Sequence, residues 1–341
     1  MNHLSSLTGL RFFAALWVFF AHFNQITPLY YLPDVVKDVI SLGPLGVNVF
    51  FALSGFILTY GYHRQKIGFT NFIKKRVFRI YPVYFVGILL CLAVYLLLHQ
   101  MPSVGIVFLN VFMLESFVYP HVFEWYGGGW SVSAELFFYC LFPFVLPWLL
   151  RIRPLVLWTL LGFVIIASSV PGVLFQFGKL PFNFVYVFPV LRFPEFLAGM
   201  IMGILTFRYR LQVNIWLGLL VMSLALIYLM LFGSVFQSYV IHNVFFLPAI
   251  LVLLNLLTRH FKWMGSSVMV YLGQISYSFY IVQISVVAAV IFLIQSEHLQ
   301  AGDWSVAPIA FVFTLVLSVL MYEIIEKPFQ RWLRNEKPAV V

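Results

Sequence analysis

The sequence predicts an all-α fold, a polytopic membrane helical bundle of about ten transmembrane helices plus one short re-entrant or interfacial segment. Two observations predict it. Of the 341 residues, 63% are hydrophobic and only 9% are charged, whereas soluble domains carry about 25% charged residues. The apolar residues also form runs of about 20, the length of a bilayer-crossing helix. A soluble enzyme, a disordered chain and a disulfide-stabilised scaffold are therefore excluded.

The apolar runs divide the chain into spans. They cover residues 6–27, 43–62, 80–99, 130–150, 154–171, 186–206, 213–232, 238–257, 268–294 and 306–326. Strands of a β-barrel would be shorter and would alternate apolar with polar residues, so helices are favoured. A further stretch, 104–118, is short and contains Asn110 and Glu115. We interpret it as re-entrant or interfacial rather than as a full span.

The basic residues indicate the topology. If the N-terminus is cytoplasmic, the inner loops and the C-terminal tail hold 16 of the 20 lysines and arginines, while the outer loops hold only Lys37 and Lys179. This asymmetry obeys the positive-inside rule and predicts cytoplasmic N- and C-termini. It also accounts for the net charge of +9. The expected partner is therefore the lipid bilayer and not a nucleic acid.

Arg11 and His22 are ionisable residues inside the first span. They are eleven residues apart, which places them about 20° apart around a helix and about 16.5 Å apart along its axis. A charge at the centre of a bilayer costs at least ~2.5 kcal/mol, so such residues are usually functional or paired. The alternative is an arginine that extends to the headgroups and a histidine that bonds a neighbouring carbonyl.

Four basic residues lie between the second and third spans, within Phe72-Ile-Lys-Lys-Arg-Val-Phe-Arg-Ile-Tyr-Pro. Arg76 and Arg79 are three residues apart and would share one helix face. Guanidinium groups bind phosphate oxygens in bidentate fashion, so this pair predicts a site for a phosphorylated cytosolic cosubstrate. Contact with anionic lipids is the alternative explanation.

Small and polar residues open the second span, in Gly46-Val-Asn-Val-Phe-Phe-Ala-Leu-Ser-Gly-Phe. Asn48 and Ser54 are candidates for hydrogen bonding into a site, whereas Gly55 is expected to let helices pack closely. Gly199 and Gly203, four residues apart in the sixth span, form a second surface of this kind.

Further acids and one arginine lie in the later spans. Glu135, one turn into the fourth span, is a candidate proton carrier or a partner for Arg11 or Arg192. Arg192 and Glu195 are three residues apart, so they are also expected to pair with each other.

These residues belong to a series of short motifs that resembles the integral-membrane acyltransferase family three, which includes polysaccharide O-acetyltransferases. No single motif is specific, but seven occur in the right order over nearly the whole chain. They are Arg11 with His22; Gly46–Phe56; Arg76-Val-Phe-Arg79-Ile-Tyr-Pro82; Trp130-Ser131 with Glu135 and Tyr139; Arg192 with Glu195-Phe and Gly199; Ser276-Tyr-Ser278 with Tyr280; and Glu326-Lys-Pro328.

The resemblance implies a ten-helix enzyme of the bacterial cytoplasmic (inner) membrane. It implies that acyl-CoA, usually acetyl-CoA, is the cosubstrate, with no bound cofactor. The acceptor is a hydroxyl of a cell-envelope glycan, such as O-antigen or exopolysaccharide, or of a lipid-linked sugar. Residues 1–341 would form a single membrane acyltransferase domain without an attached soluble esterase-like domain. Transfer would then be direct or through a separate extracytoplasmic transferase.

The resemblance also assigns roles to residues. Arg11, His22 and Glu135 match the catalytic positions, and Arg76 and Arg79 match the donor-binding positions. Gln283 stands where many relatives have histidine; an amide can bond a substrate but cannot act as a base near neutral pH.

From these roles we form a mechanistic hypothesis. His22 acts as a general base on the acceptor hydroxyl or accepts the acyl group itself. Arg11 binds a CoA phosphate or stabilises developing negative charge, and Glu135 orients His22. Ser131 and the neighbouring Trp130 are candidates for substrate contact.

Two alternatives stay open. Trp130, with Trp125 and Tyr126, would stack on a sugar ring or belong to the interfacial aromatic belt, and the belt is the more common use of such residues. No metal site is expected, since no ligand spacing typical of one occurs. The rival function is a proton-coupled secondary transporter, because buried Arg, Glu and His also serve proton coupling.

Overall fold

The computed structural model describes residues 5–26, 32–236, 238–296, 298–300, 303 and 305–335. This part of the chain is helical and contains no β-strand. The α-helices are α1 (Ser5–Ile26), α2 (Asp34–Ser41), α3 (Leu45–Tyr62), α4 (Phe69–Leu97), α5 (Val104–Val111), α6 (Trp130–Leu149), α7 (Pro154–Gln176), α8 (Phe182–Val187), α9 (Pro189–Phe207), α10 (Ile215–Phe232), α11 (Asn243–Leu257), α12 (Ser267–Gln295), α13 (Val306–Met321) and α14 (Lys327–Asn335).

The predicted ten spans are confirmed. Ten helical segments within the described residues are long and apolar enough to cross a membrane. They differ in position within the bundle, because α3 buries 67% of its apolar window whereas α10 buries only 17%. Helices α1, α3, α9 and α12 form the centre, and α10 turns most of its surface outward, as a lipid-facing helix would.

The third span begins earlier than the sequence predicts. We expected it to start at residue 80 and expected the basic cluster to lie in a loop, but α4 begins at Phe69 and includes that cluster. Lysine and arginine are good helix formers, and their long stems let charged ends reach the polar surface. Arg76 and Arg79 are therefore held on a rigid helix face.

Two other spans are interrupted or extended. The sixth is split at Phe188, whose backbone is extended, so that α8 ends and α9 begins at Pro189. The tenth does not stop at residue 326. A single π-helical stretch, Tyr322–Glu326, follows α13 and leads into α14. Such π-helical turns often lie at functional sites.

The helix before the fourth span is too short to cross a membrane, in agreement with our interpretation of 104–118. Helix α5 has only eight residues, and a 3₁₀ turn follows at Glu115–Phe117. Glu115 lies outside the ten spans yet is only 2% exposed. Its Oε1 accepts a hydrogen bond from the Tyr84 hydroxyl at 3.0 Å, and this bond ties the segment to α4.

The central contact of the bundle joins α3 to α9 through small residues. A Cβ added at Gly199 would lie 1.9 Å from the carbonyl oxygen of Ala52, and one at Gly55 would lie 2.1 Å from that of Phe196. Neither position has room for a side chain, because the neighbouring atom belongs to the backbone. The expected packing role of Gly55 and Gly199 is confirmed. Side chains from α3 and α9 are thereby held close enough to bond each other.

Replacing Gly199 with alanine should destabilise the bundle by about 1–3 kcal/mol, because α3 and α9 must move apart to admit the methyl group. The apparent midpoint of thermal unfolding of the detergent-solubilised chain measures this effect. Gly61→Ala is the matched control, since Gly61 lies on α3 with no atom within 4 Å of its added Cβ. Equal midpoints for the two variants would contradict the close contact.

The free energy of unfolding of the chain should fall as the pH rises, because the buried Glu115 ionises. Burial raises the pKa of Glu115 from its usual 4.5 to about 8, against the effect of the hydrogen bond from Tyr84. The unfolded chain therefore releases this proton before the folded chain does. The contribution of the neutral carboxyl group is complete below pH 4.5 and is lost as the pH rises towards 8.

The measurement is the unfolding midpoint from about pH 5 to about pH 9, compared between wild type and Glu115→Gln. The amide keeps the shape of the side chain but does not ionise, so the variant should lose part of the decline. A decline of the same size in both proteins would assign it to other groups.

Candidate active site

The structure contains a cavity lined by charged side chains near the end of the bundle where α1 begins, α3 ends and α4 begins. We call this end the basic end and this space the charged cavity. Its volume is about 80 Å³. Three guanidinium groups and two carboxylates line it: Arg11, Arg76, Arg79, Glu135 and Glu326. The predicted pairing of Arg76 with Arg79 in one site is therefore observed, and Arg11 joins them.

A second and larger cavity lies towards the other end of the bundle. We call it the aromatic cavity; its volume is about 550 Å³. His22 lines it, together with rings that include Trp125, Trp130, Tyr186 and Tyr239. Trp125 and Trp130 are 4% and 3% exposed. The expectation that these two tryptophans belong to an interfacial belt is wrong, because they are buried against the cavity and do not face lipid.

Two side chains, Val47 and Tyr280, line both cavities. The hydroxyl of Tyr280 lies 2.8 Å from that of Ser131 and donates to the carbonyl of Gly128 at 3.1 Å. These bonds hold the ring in place between α12 and the start of α6. Val47 and Tyr280 thus separate the two cavities, and we call these two side chains the partition.

Hydrogen bonds and ring contacts hold the charged side chains of the charged cavity in position. Oε1 of Glu135 accepts hydrogen bonds from Ser54, at 2.7 Å, and from Tyr139. The guanidinium of Arg76 lies 5.9 Å from the centre of the Tyr139 ring and 5.5 Å from that of Phe72. Cation–π contacts of this length stabilise a positive charge near an aromatic face. Ser54 is therefore part of the site, as expected.

The π-helical stretch supplies the second carboxylate of the charged cavity. Glu326 accepts hydrogen bonds from Ser278, at 2.7 Å, and from Gln330, at 3.0 Å. Electrostatic interactions link Arg11 to Glu326, Glu135 and Arg79. We did not select Glu326 as a site residue, although it lies within one of the motifs. The same is true of Tyr139 and Tyr280, and no spacing argument could bring these distant residues together.

Glu135 does not lie against His22. The hydrogen bonds of Glu135 go to Ser54 and Tyr139, and its carboxylate lines the charged cavity. His22 lines the aromatic cavity, and its buried Nδ1 has no hydrogen-bond partner within the described chain. The hypothesis that Glu135 orients His22 is therefore wrong. The two residues line different cavities, which Val47 and Tyr280 separate.

Arg11 and His22 are also not neighbours. Both lie on α1 and face the bundle interior, but Arg11 lines the charged cavity and His22 the aromatic one. Their spacing of eleven residues corresponds to about 16.5 Å along the helix. Arg11 and His22 therefore lie on one face of α1, as expected, but they line different cavities.

A buried cluster stands beside the cavities. Nε of Arg192 lies 3.2 Å from Oε1 of Glu195, and both side chains are 0% exposed. Arg192 donates a hydrogen bond to Asn48, which donates to Asn243 at 2.5 Å, and Asn243 donates to Glu195 at 2.9 Å. The expected Arg192–Glu195 pair is confirmed. Asn48 bonds this pair and lines neither cavity.

The remaining predicted residues have distinct places. Ser131 lines the charged cavity, directly after Trp130 in the aromatic one. Gln283 is 0% exposed and lines neither cavity, and both of its amide atoms have no hydrogen-bond partner among the described residues. The part of the chain that the structure describes contains no group of three or more His, Cys, Asp or Glu side chains that could hold a metal ion.

The chain is similar over nearly its whole length to one known acyltransferase, and over less than half of its length to other relatives. It is 28% identical to Acyltransferase MdmB of Streptomyces mycarofaciens over 98% of this chain and 94% of that protein. It is 29% identical to O-acetyltransferase OatA of Staphylococcus aureus over 45% of this chain and 26% of that protein.

Nodulation protein 10 of Rhizobium leguminosarum bv. viciae is 29% identical over 42% of this chain and 45% of that protein. No solved structure matches the chain. The family model described as an acyltransferase domain, acyltransferase family three, matches residues 4–323. The match covers nearly the whole chain, so this multi-pass membrane protein belongs to acyltransferase family three and is an acyltransferase.

Proposed function

We propose that the enzyme transfers an acyl group, usually acetyl, from cytosolic acyl-CoA to a hydroxyl of a cell-envelope glycan or another sugar-bearing acceptor. One observation carries this proposal. Two cavities approach each other from opposite ends of the bundle and share Val47 and Tyr280. A donor and an acceptor on opposite sides of a membrane need such an arrangement.

The charged cavity is suited to the donor. We infer from the positive-inside rule that the basic end faces the cytoplasm, where acyl-CoA is made. Arg76 and Arg79 lie in the first turns of α4 at this end, and both are partly exposed. They would bind CoA phosphates, and the narrower space beyond them would take the thioester arm. Glu135 and Glu326 then act as counter-charges that offset the mutual repulsion of the guanidinium groups.

The aromatic cavity is suited to the acceptor. His22 presents an imidazole there whose Nδ1 is unpaired. In the proposed step, imidazole nitrogen takes the proton of the acceptor hydroxyl while the oxygen bonds to the thioester carbonyl carbon. The carbon–sulfur bond breaks, and the proton is returned to the CoA thiolate. No net electron transfer occurs, and the products are an ester and free CoA.

The thioester must reach past the partition for this step. This step requires the Tyr280 side chain to move, with its hydrogen bonds to Ser131 and Gly128 exchanged for bonds to the substrate. The relatives support the acyl chemistry, since one is named an O-acetyltransferase and another an acyltransferase. This proposal includes the location and the acyl group that are usual in the family, which are the bacterial inner membrane and acetyl.

Loss of His22 should strongly slow transfer. Membranes that contain the chain are given acetyl-CoA labelled in the acetyl group, and label is followed into lipid-linked and polysaccharide fractions. His22→Ala should lower the rate roughly 10²- to 10⁴-fold, the usual contribution of a general base. His260→Ala is the control, because His260 lines neither cavity.

Three other outcomes are informative. Transfer that survives in His22→Ala would remove this residue from the chemistry. Label that stays covalently on the protein when acceptor is absent, and is lost in His22→Ala, would instead indicate that His22 accepts the acyl group. Acyl-CoA or glycan that crosses the membrane unchanged, with no ester formed, would favour the proton-coupled transporter.

Arg76→Gln and Arg79→Gln should each raise the KM for acetyl-CoA by roughly tenfold or more, since a charge-assisted bond to phosphate is lost. The same variants should leave KM unchanged for S-acetyl-N-acetylcysteamine, a thioester without phosphates. Arg151→Gln is the control for surface charge, because Arg151 is exposed and lines neither cavity. Equal losses with both thioesters would mean that the arginines support the fold and not the phosphates.

A further inference from the structure

The aromatic cavity differs from the charged cavity in the kind of side chains that line it. Among the described residues that line it, none is Asp, Glu, Lys or Arg. Polar contacts come instead from amides, from tyrosine hydroxyls and from His22; the amides belong to Gln25, Gln100 and Gln295. The charged cavity, by contrast, is lined by five ionisable acids and bases from four regions of the chain.

Arg192, a buried cation behind two rings of the cavity wall, is shielded from the aromatic cavity. The guanidinium of Arg192 lies 5.5 Å from the centre of the Tyr186 ring and 5.8 Å from that of Trp130. Both rings line the cavity, whereas Arg192 does not and is 0% exposed. Arg192 therefore lies behind aromatic rings and is paired with Glu195 at 3.2 Å. An anion in the cavity could not reach it.

A buried acid on another wall is shielded as well. Gly127 and Gly128 line the cavity, and Oε1 of Glu115 lies close behind Gly129, 3.1 Å from where a Cβ would be. This carboxyl group bonds Tyr84, is 2% exposed and does not line the cavity. Burial raises the pKa of Glu115 to about 8, so the group is mostly neutral at pH 7. It offers neither a charge nor an attraction for a cationic acceptor.

A cavity of this kind discriminates by charge. An anion that enters loses hydration, and the cost is several kcal/mol unless an opposite charge or several donors replace the water. A neutral ring compound loses much less, because aromatic side chains cover its apolar face and amides bond its hydroxyls. The volume of about 550 Å³ lies in the range of about 300–1,000 Å³ typical of small-molecule sites.

We propose that the acceptor portion that enters the aromatic cavity is an uncharged, hydroxyl-bearing ring compound, such as a neutral glycoside, and that phosphorylated or carboxylated acceptors are excluded. This inference rests on the proposed acyl transfer. The inference adds a substrate class to the proposed acyl transfer: neutral sugars or glycosides are acylated, whereas uronic acids and sugar phosphates are not.

Matched aryl glycosides test the inference on the full chain in nanodiscs at pH 7. The pair is p-nitrophenyl β-D-glucuronide and its methyl ester, which differ in charge at one position while neither has a hydroxyl there. With labelled acetyl-CoA, the ester should be acylated with kcat/KM roughly a hundredfold higher than the free acid, corresponding to the desolvation cost of one carboxylate. Binding is measured separately, by quenching of tryptophan fluorescence by the nitrophenyl ring.

An introduced cation should change this preference. Gln25 lies three residues after His22 on α1 and is exposed at the cavity. Gln25→Lys should raise kcat/KM for the glucuronide relative to the ester by roughly tenfold. Gln25→Met is the matched control for charge; loss of the amide should lower kcat/KM for both glycosides to the same extent, so that their ratio stays at the wild-type value.

The outcomes separate the inference from the proposed function. Acylation of both glycosides at equal rates would overturn the inference and leave acyl transfer intact. Binding of the ester without acylation of either compound would count against transfer to glycosides and support the neutral site. Equal or tighter binding of the free acid would overturn the inference whether or not transfer occurs.

Discussion

The cost of burying charge in a membrane governs this structure. Arg11, Arg76, Arg79, Glu135 and Glu326 are spread over α1, α4, α6 and the π-helical stretch, yet they converge on one cavity. There, opposite charges and hydroxyl donors replace part of the lost hydration. Arg192 and Glu195 are stabilised in the same way, because they pair with each other and bond two asparagines. Within the described spans, the Asp, Glu, Lys and Arg side chains are thus either paired or placed at a cavity or towards a helix end.

The close contact of α3 with α9 makes this arrangement possible. Because Gly55 and Gly199 admit no side chain, the two backbones approach closely enough for Asn48 on α3 to bond Arg192 on α9. That cluster in turn supports two rings, Trp130 and Tyr186, from behind. The shape of the aromatic cavity therefore depends on glycines that lie outside it. The proposals of a charged donor and a neutral acceptor both rest on this separation of the charged cavity from the aromatic cavity.

Sequence reasoning predicted the helices well and the site in part. Long apolar runs identify spans because the bilayer demands about 20 apolar residues of each, so the ten segments needed no tertiary information. The boundary of α4 was misplaced because the basic residues were taken to end the apolar run, whereas lysine and arginine continue a helix readily. The pairing of Arg76 with Arg79, and of Arg192 with Glu195, followed from spacing along one helix. The partnership assigned to Glu135 and His22 failed, because it depended on how α6 packs against α1.

The sequence by itself determined the fold class, the spans and the family, since composition, apolar length and motif order are properties of the chain in one dimension. It also determined that Arg11 and His22 share a face of α1, because helix geometry fixes that relation. Only the tertiary structure decided that the two residues belong to separate cavities, that Tyr280 stands between them, and that Glu326 completes the charged one. The physical reason is that contacts between helices depend on which small residues let two backbones approach. These helices are apolar on every side, so their hydrophobic periodicity does not indicate which face packs against which neighbour.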